Sequence, residues 1–151
     1  MTKLLIVYYS RTGNTGKMAC EIAKGANEVE GIEVLSKRVD EATLDDLVNA
    51  SGIIIGSPTY FRQMAADLKS FIDKSIDVYG KLKGKFGGVF TSTGTKADGE
   101  KCLSSLYEAL DRHGIKVIGK VLSVEAPADK ELVACRELGR KLARKLIDDG
   151  K

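Results

Sequence analysis

The sequence predicts an α/β fold in which a doubly wound parallel sheet carries helices on both faces. Three observations point to it. Short, nearly continuous apolar runs alternate along the whole chain with stretches whose apolar residues recur at three and four. The strand–helix pair repeats five times with short connections, the signature of parallel strands joined by right-handed crossovers. With 151 residues, 43% hydrophobic and 30% charged, the chain has the size and makeup of one globular domain, expected to span residues 1–151.

Each element follows from the pattern. "KLLIVYY" (3–9) and "GIIIG" (52–56) are almost wholly apolar, and "FGGVFT" (86–91) is apolar with glycines, as expected of central strands covered on both faces. "IEVLSKRV" (32–39) and "KVIGKVLSV" (116–124) mix in polar residues, which suits strands nearer the sheet edges. Helical stripes run through Met18, Ile22 and Ala26, then through Met64, Leu68, Phe71 and Ile72. Two more run through Leu103, Leu106 and Leu110, and through Leu132, Cys135, Leu138, Leu142 and Leu146. A short helix covers Leu44, Leu47 and Val48, with Thr43 and Asp46 at the spacing of a capping box.

Composition narrows the function classes. A net charge of +3, from 24 basic and 21 acidic residues, gives no nucleic-acid signal. The apolar run "LLIVYY" is too short for a signal sequence or a membrane span. Cys20, Cys102 and Cys135 are widely spaced and odd in number, which suits a reducing, cytoplasmic setting. All three fall on helices and are expected to be buried thiols. The single His113 precedes Gly114 at a helix end, where it would offset the helix dipole, and no second histidine points to a metal. Arg136, Arg140 and Arg144 follow at helical spacing and read as a solvated face.

In doubly wound sheets, ligands bind beyond the carboxyl ends of the strands, where the strand order reverses. The loops there are "SRTGNT" (10–15), "SPTYFRQ" (57–63) and "STGTKADG" (92–99). The first offers the hydroxyls of Ser10, Thr12 and Thr15 and backbone N–H groups around Gly13 and Asn14 at the positive end of a helix, a setting for phosphate. A polar turn capped by Thr15 is the competing reading. Neither G-x-G-x-x-G nor G-x-x-x-x-G-K-[ST] occurs, which argues against nucleoside triphosphate chemistry. The second loop sets Tyr60 and Phe61 at the end of a buried strand, where a stacked planar ring would gain about 1–3 kcal/mol; for Phe61, packing back over the next helix competes with this. The third brings small residues and their N–H groups close to a ligand edge. A phosphate, a flat ring and a polar rim together describe FMN.

"YYSRTGNT", "GSPTYF" and "FTSTGT", in this order on this strand pattern, resemble the flavodoxin superfamily, and most of all its WrbA-type quinone reductases. The resemblance covers nearly the whole chain. It implies a five-stranded sheet of order 2-1-3-4-5 and bound FMN. It also implies that Ser10, Arg11, Thr12, Gly13, Asn14 and Thr15 hold the FMN phosphate. Pro58, Thr59, Tyr60 and Phe61 would then flank the isoalloxazine, and Ser92, Thr93, Gly94 and Thr95 would line its pyrimidine edge. No catalytic side chain and no metal ligand is implied.

The chain departs from the WrbA pattern at named places. Arg62-Gln63 replaces Gly-Asn, and Lys96-Ala97-Asp98 replaces a glycine run. Arg112-His113-Gly114 stands where those enzymes have His-His-Gly, whose first histidine lies at the flavin site, and Tyr79 falls near their substrate-facing aromatic. Arg62 and Arg112 would place positive charge near the flavin. No glycine lies between Ser57 and Gln63, so a left-handed residue in that loop would cost roughly 1–2 kcal/mol. The insertion before the third strand, associated with WrbA tetramers, is absent, which favours a monomer or homodimer. Ser10 and Ser57 occupy the strand ends where a response-regulator receiver needs acids, and no Cys-x5-Arg loop of a tyrosine phosphatase is present. The expected function is FMN-based electron transfer with a redox partner protein; an FMN-dependent NAD(P)H:quinone reductase is the alternative. Neither nucleic acid nor membrane is an expected partner.

Overall fold

A computed structural model describes residues 1–150; Lys151, the last residue of the expected domain, lies outside them. The elements are β1 (Thr2–Tyr8), α1 (Asn14–Asn27), β2 (Ile32–Arg38), α2 (Leu44–Asn49), β3 (Gly52–Tyr60) and β4 (Gln63–Met64). They continue with α3 (Ala66–Lys74), a 3-10 turn at Ser75–Val78, β5 (Phe86–Thr93), α4 (Lys96–Arg112), β6 (Lys116–Val124) and α5 (Asp129–Asp149). The long strands form a parallel sheet of order β2-β1-β3-β5-β6, which is the predicted order 2-1-3-4-5 counted over those strands.

One short strand was not foreseen. β4 returns antiparallel beside the end of β3, pairing Thr59 with Met64 and Tyr60 with Gln63. Met64 therefore belongs to a hairpin and not to the helical stripe in which its spacing places it; α3 begins at Ala66. β5 likewise runs on to Thr93, so Ser92 and Thr93 are strand residues.

The period of two along β1 divides the core. Leu5 and Val7 join the cluster under α2, α3 and α4, whereas Leu4 and Ile6 face α1 and α5, and all four are fully buried. Each contributes about 1.5–3 kcal/mol by leaving water. Thr43 and Asp46 form the expected capping box at the start of α2. Its far end is closed by Lys85, whose ammonium donates to the carbonyls of Leu47, Val48 and Ala50; burial pushes the Lys85 pKa down.

Helices α1 and α5 cover the same sheet face and touch backbone to backbone. A Cβ on Gly25 would lie 1.9 Å from the Arg136 carbonyl oxygen, and one on Gly139 would lie 2.0 Å from that of Ile22. Arginines expected to be solvated cross this contact instead. Arg136 pairs with Glu21 at 2.7 Å and Arg140 with Glu28 at 2.6 Å, because the close approach brings both carboxylates within reach. Hydrogen bonds from Arg136 and then Lys24 hold the Glu21 carboxyl below its usual range. Cys102 and Cys135 are buried as expected, but Cys20 is exposed, on the face of α1 turned away from the sheet.

The contact yields a prediction whose sign is not trivial. Gly139→Ala gains about 1 kcal/mol of helix propensity, yet forcing a methyl against a backbone carbonyl costs typically 1–3 kcal/mol. Thermal denaturation should show a net loss of stability. A raised melting temperature would mean that the two helices are free to separate.

Candidate functional site

Because the five long strands are parallel, all their carboxyl ends lie at one edge, and the three polar loops meet there on β1, β3 and β5. The first loop is shorter than its sequence suggests, since α1 already begins at Asn14. Gly13 is the N-cap, at φ +106° and with nothing within 4 Å of where a Cβ would sit. No side chain caps the helix, so the reading of Thr15 as its cap does not hold. Instead the Thr15 hydroxyl is buried and pairs with Ser92 Oγ at 2.7 Å, joining the first loop to the third. Ser10 Oγ accepts from the Gly16 N–H at 3.0 Å.

Proton accounting shows what remains. Ser10 uses a lone pair and keeps its O–H to donate, and the Thr15–Ser92 pair consumes one hydroxyl proton and retains the other. Thr12 is exposed, as is Arg11. An uncapped helix start, an open cradle at Gly13 and these donors fit the phosphate of FMN.

The second loop is a hairpin turn. Phe61 and Arg62 lie at φ 51° and 68° between the paired residues Tyr60 and Gln63. A two-residue turn with both centres at positive φ is the type I′ arrangement, normally the place of Asn-Gly. Phe61 is 97% exposed, so it does not fold back over α3. The Arg62 guanidinium meets Asp98 at 3.1 Å and ties the hairpin to the first turn of α4. Its charge therefore has a carboxylate beside it, which offsets the positive field expected of Arg62 alone.

Behind the hairpin, hydroxyls fix the backbone. Thr91 Oγ1 donates to the Ser57 carbonyl at 2.7 Å and so accepts from Thr59 Oγ1 at 2.7 Å. Ser57 Oγ donates to the Pro58 carbonyl and accepts from the Ala65 N–H, both at 2.8 Å. In the third loop, Ser92 and Thr93 are buried, Gly94 has open space around it, and Thr95 Oγ1 caps α4 by accepting from the Asp98 N–H. All fourteen predicted residues thus fall on the three loops and their flanking ends.

Tyr79 and Arg112 do not join them. Arg112 lies 14 residues beyond Asp98 on α4, about 21 Å along the helix axis, at the amino edge of the sheet. There its guanidinium stacks 5.1 Å from the Tyr79 ring centroid and bonds the phenol oxygen. Neither residue frames a ligand at the loops. Ser75 Oγ donates to the Ile72 carbonyl at 2.5 Å and so accepts from His113 Nε2–H at 2.8 Å, leaving Nδ1 buried and unpartnered. Burial, then the charge of Arg112, lowers the His113 pKa. That environment disfavours the charged imidazole, and the basic residue in the last turn of α4 is Arg112.

Two residues here have contacts the sequence reading did not give them. Asp98, read there only as a departure in the third loop, is one, through its pairing with Arg62. Arg38, the last residue of β2, is the other: its Nη2 donates to the Ser10 carbonyl at 3.0 Å. Its place opposite Tyr8 in the register is the signal that would find it.

A sequence model of the family described as NADPH-dependent FMN reductase matches residues 2–129. The chain belongs to that family. This flavodoxin-like chain is 38% identical to a flavodoxin of Aquifex aeolicus (strain VF5), over 95% of its own length and 86% of the relative's. It superposes on the two-electron reduced flavodoxin of Megasphaera elsdenii with a TM-score of 0.81 and 31% identity, covering 93% and 98% of the two chains. A WrbA-like flavodoxin from Agrobacterium tumefaciens gives a TM-score of 0.84 at 24% identity over 98% and 99%, a likeness of fold. The flavodoxin-like chain is an FMN-binding electron-transfer protein.

The hairpin gives a second prediction. Phe61→Asn with Arg62→Gly supplies the residues a type I′ turn favours and removes roughly 1–2 kcal/mol of left-handed strain, against at most about 1 kcal/mol for an exposed ion pair. The apoprotein should melt higher. An unchanged or lower melting temperature would mean that this turn is not strained.

Proposed function

We propose that residues 1–151 act as one unit that carries electrons on FMN held at the three loops. Ser10 to Thr15 would hold the phosphate through backbone N–H groups and hydroxyl protons; Pro58 to Phe61 would flank the ring, and Ser92 to Thr95 would face its polar edge. FMN supplies the redox chemistry when bound, and the chain supplies binding, orientation and access. No acid–base side chain is needed.

One observation favours the carrier over the reductase. Tyr79, which falls near the substrate-facing aromatic of WrbA-type enzymes, and Arg112, which stands in place of their flavin-site histidine, sit at the opposite edge of the sheet. At the loops themselves, the exposed Phe61 presents an apolar tip to an approaching protein. The partner is then a redox protein, met in the cytoplasm by a monomer or homodimer. Among the described residues no helix is long and apolar enough to cross a membrane. The second reading, an NAD(P)H:quinone reductase of WrbA type, is supported by the family description and by the wording of the loops.

Anaerobic stopped-flow separates the two. The FMN-loaded protein should be reduced only slowly by NADH or NADPH, yet once reduced should pass electrons rapidly to a one-electron acceptor such as ferricyanide. Loss of the oxidised flavin absorbance within milliseconds at micromolar nucleotide would overturn the carrier reading and establish the reductase.

A further inference from the structure

The hydrogen-bond ladder of β1 continues beyond the strand itself. The Tyr8 carbonyl accepts from the Val39 N–H at 2.8 Å, toward β2, while the Tyr9 N–H donates to the Gly56 carbonyl at 3.2 Å, toward β3. These two groups belong to one peptide unit and point in opposite directions, as planarity requires. Two residues on, the alternation repeats. The Ser10 carbonyl turns toward the β2 side, but β2 has ended, and the group that meets it is Arg38 Nη2 at 3.0 Å.

From this we infer that Arg38 is a positioning residue for the phosphate loop. By planarity, fixing the Ser10 carbonyl on the β2 side directs the Arg11 N–H to the β3 side, into the crevice between the three loops. Arg38 thus sets the aim of a backbone donor without itself touching the ligand. Its charge is partly offset by Asp40, 3.8 Å from Nε, and it stands 6.0 Å from the centroid of the Tyr8 ring, which limits where the guanidinium can go. Ser10 is held twice over, by Arg38 at its carbonyl and by the Gly16 N–H at its hydroxyl. An anion-binding turn built from backbone needs such fixing, because its N–H groups otherwise rotate with each peptide.

The inference rests on FMN's phosphate lying at the first loop, and the test keeps the two apart. Apoprotein is titrated with FMN and with riboflavin, which lacks the phosphate, for the wild type, Arg38→Met and Arg38→Lys. Wild type should prefer FMN strongly; equal affinity for both ligands would overturn the phosphate placement itself. Given that preference, Arg38→Met should weaken FMN about tenfold, the scale of a lost charge-assisted hydrogen bond, and leave riboflavin unchanged. Arg38→Lys, which keeps a donor, should restore part of the loss. Equal weakening of both ligands would assign Arg38 a merely structural role, and unchanged FMN affinity would overturn the inference outright. Melting curves of the apoproteins establish folding, and Arg38→Thr, suited to an edge strand, carries the same comparison if the methionine variant does not fold.

Discussion

Parallel strands that stop at one edge leave their last backbone groups there with no further strand to bond, and in a dry interior such groups must find partners. This chain meets the demand with hydroxyls. Ser10, Thr15, Ser57, Thr91, Ser92, Thr93 and Ser123 are buried polar residues of the sheet's carboxyl edge, and among the described residues the remaining buried polar side chain, Ser75, lies at the other end. A hydroxyl can both accept and donate, so the edge is internally bonded while Ser10 and the Thr15–Ser92 pair still retain protons for an outside acceptor. The same residues that complete the fold therefore prepare the site.

Rigidity there is unevenly distributed. The Thr59–Thr91–Ser57 bonds and the Thr15–Ser92 pair fix the floor, and the glycine-lined contact of α1 with α5 holds the helix whose start faces the crevice. Above that floor stands the Phe61-Arg62 turn, strained, exposed and tethered by one ion pair to Asp98. A residue in a sparsely populated backbone region persists only where its surroundings impose it, and such residues gather at working sites. The paired residues Thr59, Tyr60, Gln63 and Met64 on either side of this turn supply that constraint.

Much of this was legible in the chain. Apolar runs located the five long strands, and the alternation of elements located the edge where the three polar loops meet, since period and topology act locally and leave a trace in every segment. The turn at Phe61 and Arg62 was not legible, because neither residue carries the glycine that signals positive φ. Arg38 escaped for another reason: its bond to Ser10 joins residues far apart in sequence, and only the strand register brings them together. Resemblance suggested that Tyr79 and Arg112 belonged to the site, but the length of α4 carries Arg112 to the far edge. Helix rise overrode motif position.

The account stands on the claim that backbone donors at the start of α1 receive the phosphate of FMN. Backbone amide NMR on titrating apoprotein with FMN tests it most directly. The account predicts the largest downfield amide shifts, and the strongest slowing of hydrogen exchange, at Arg11, Gly13, Asn14 and Thr15, with smaller changes at Gly94 and Thr95. Largest changes around Tyr79, Arg112 and His113, with the first loop unmoved, would contradict it.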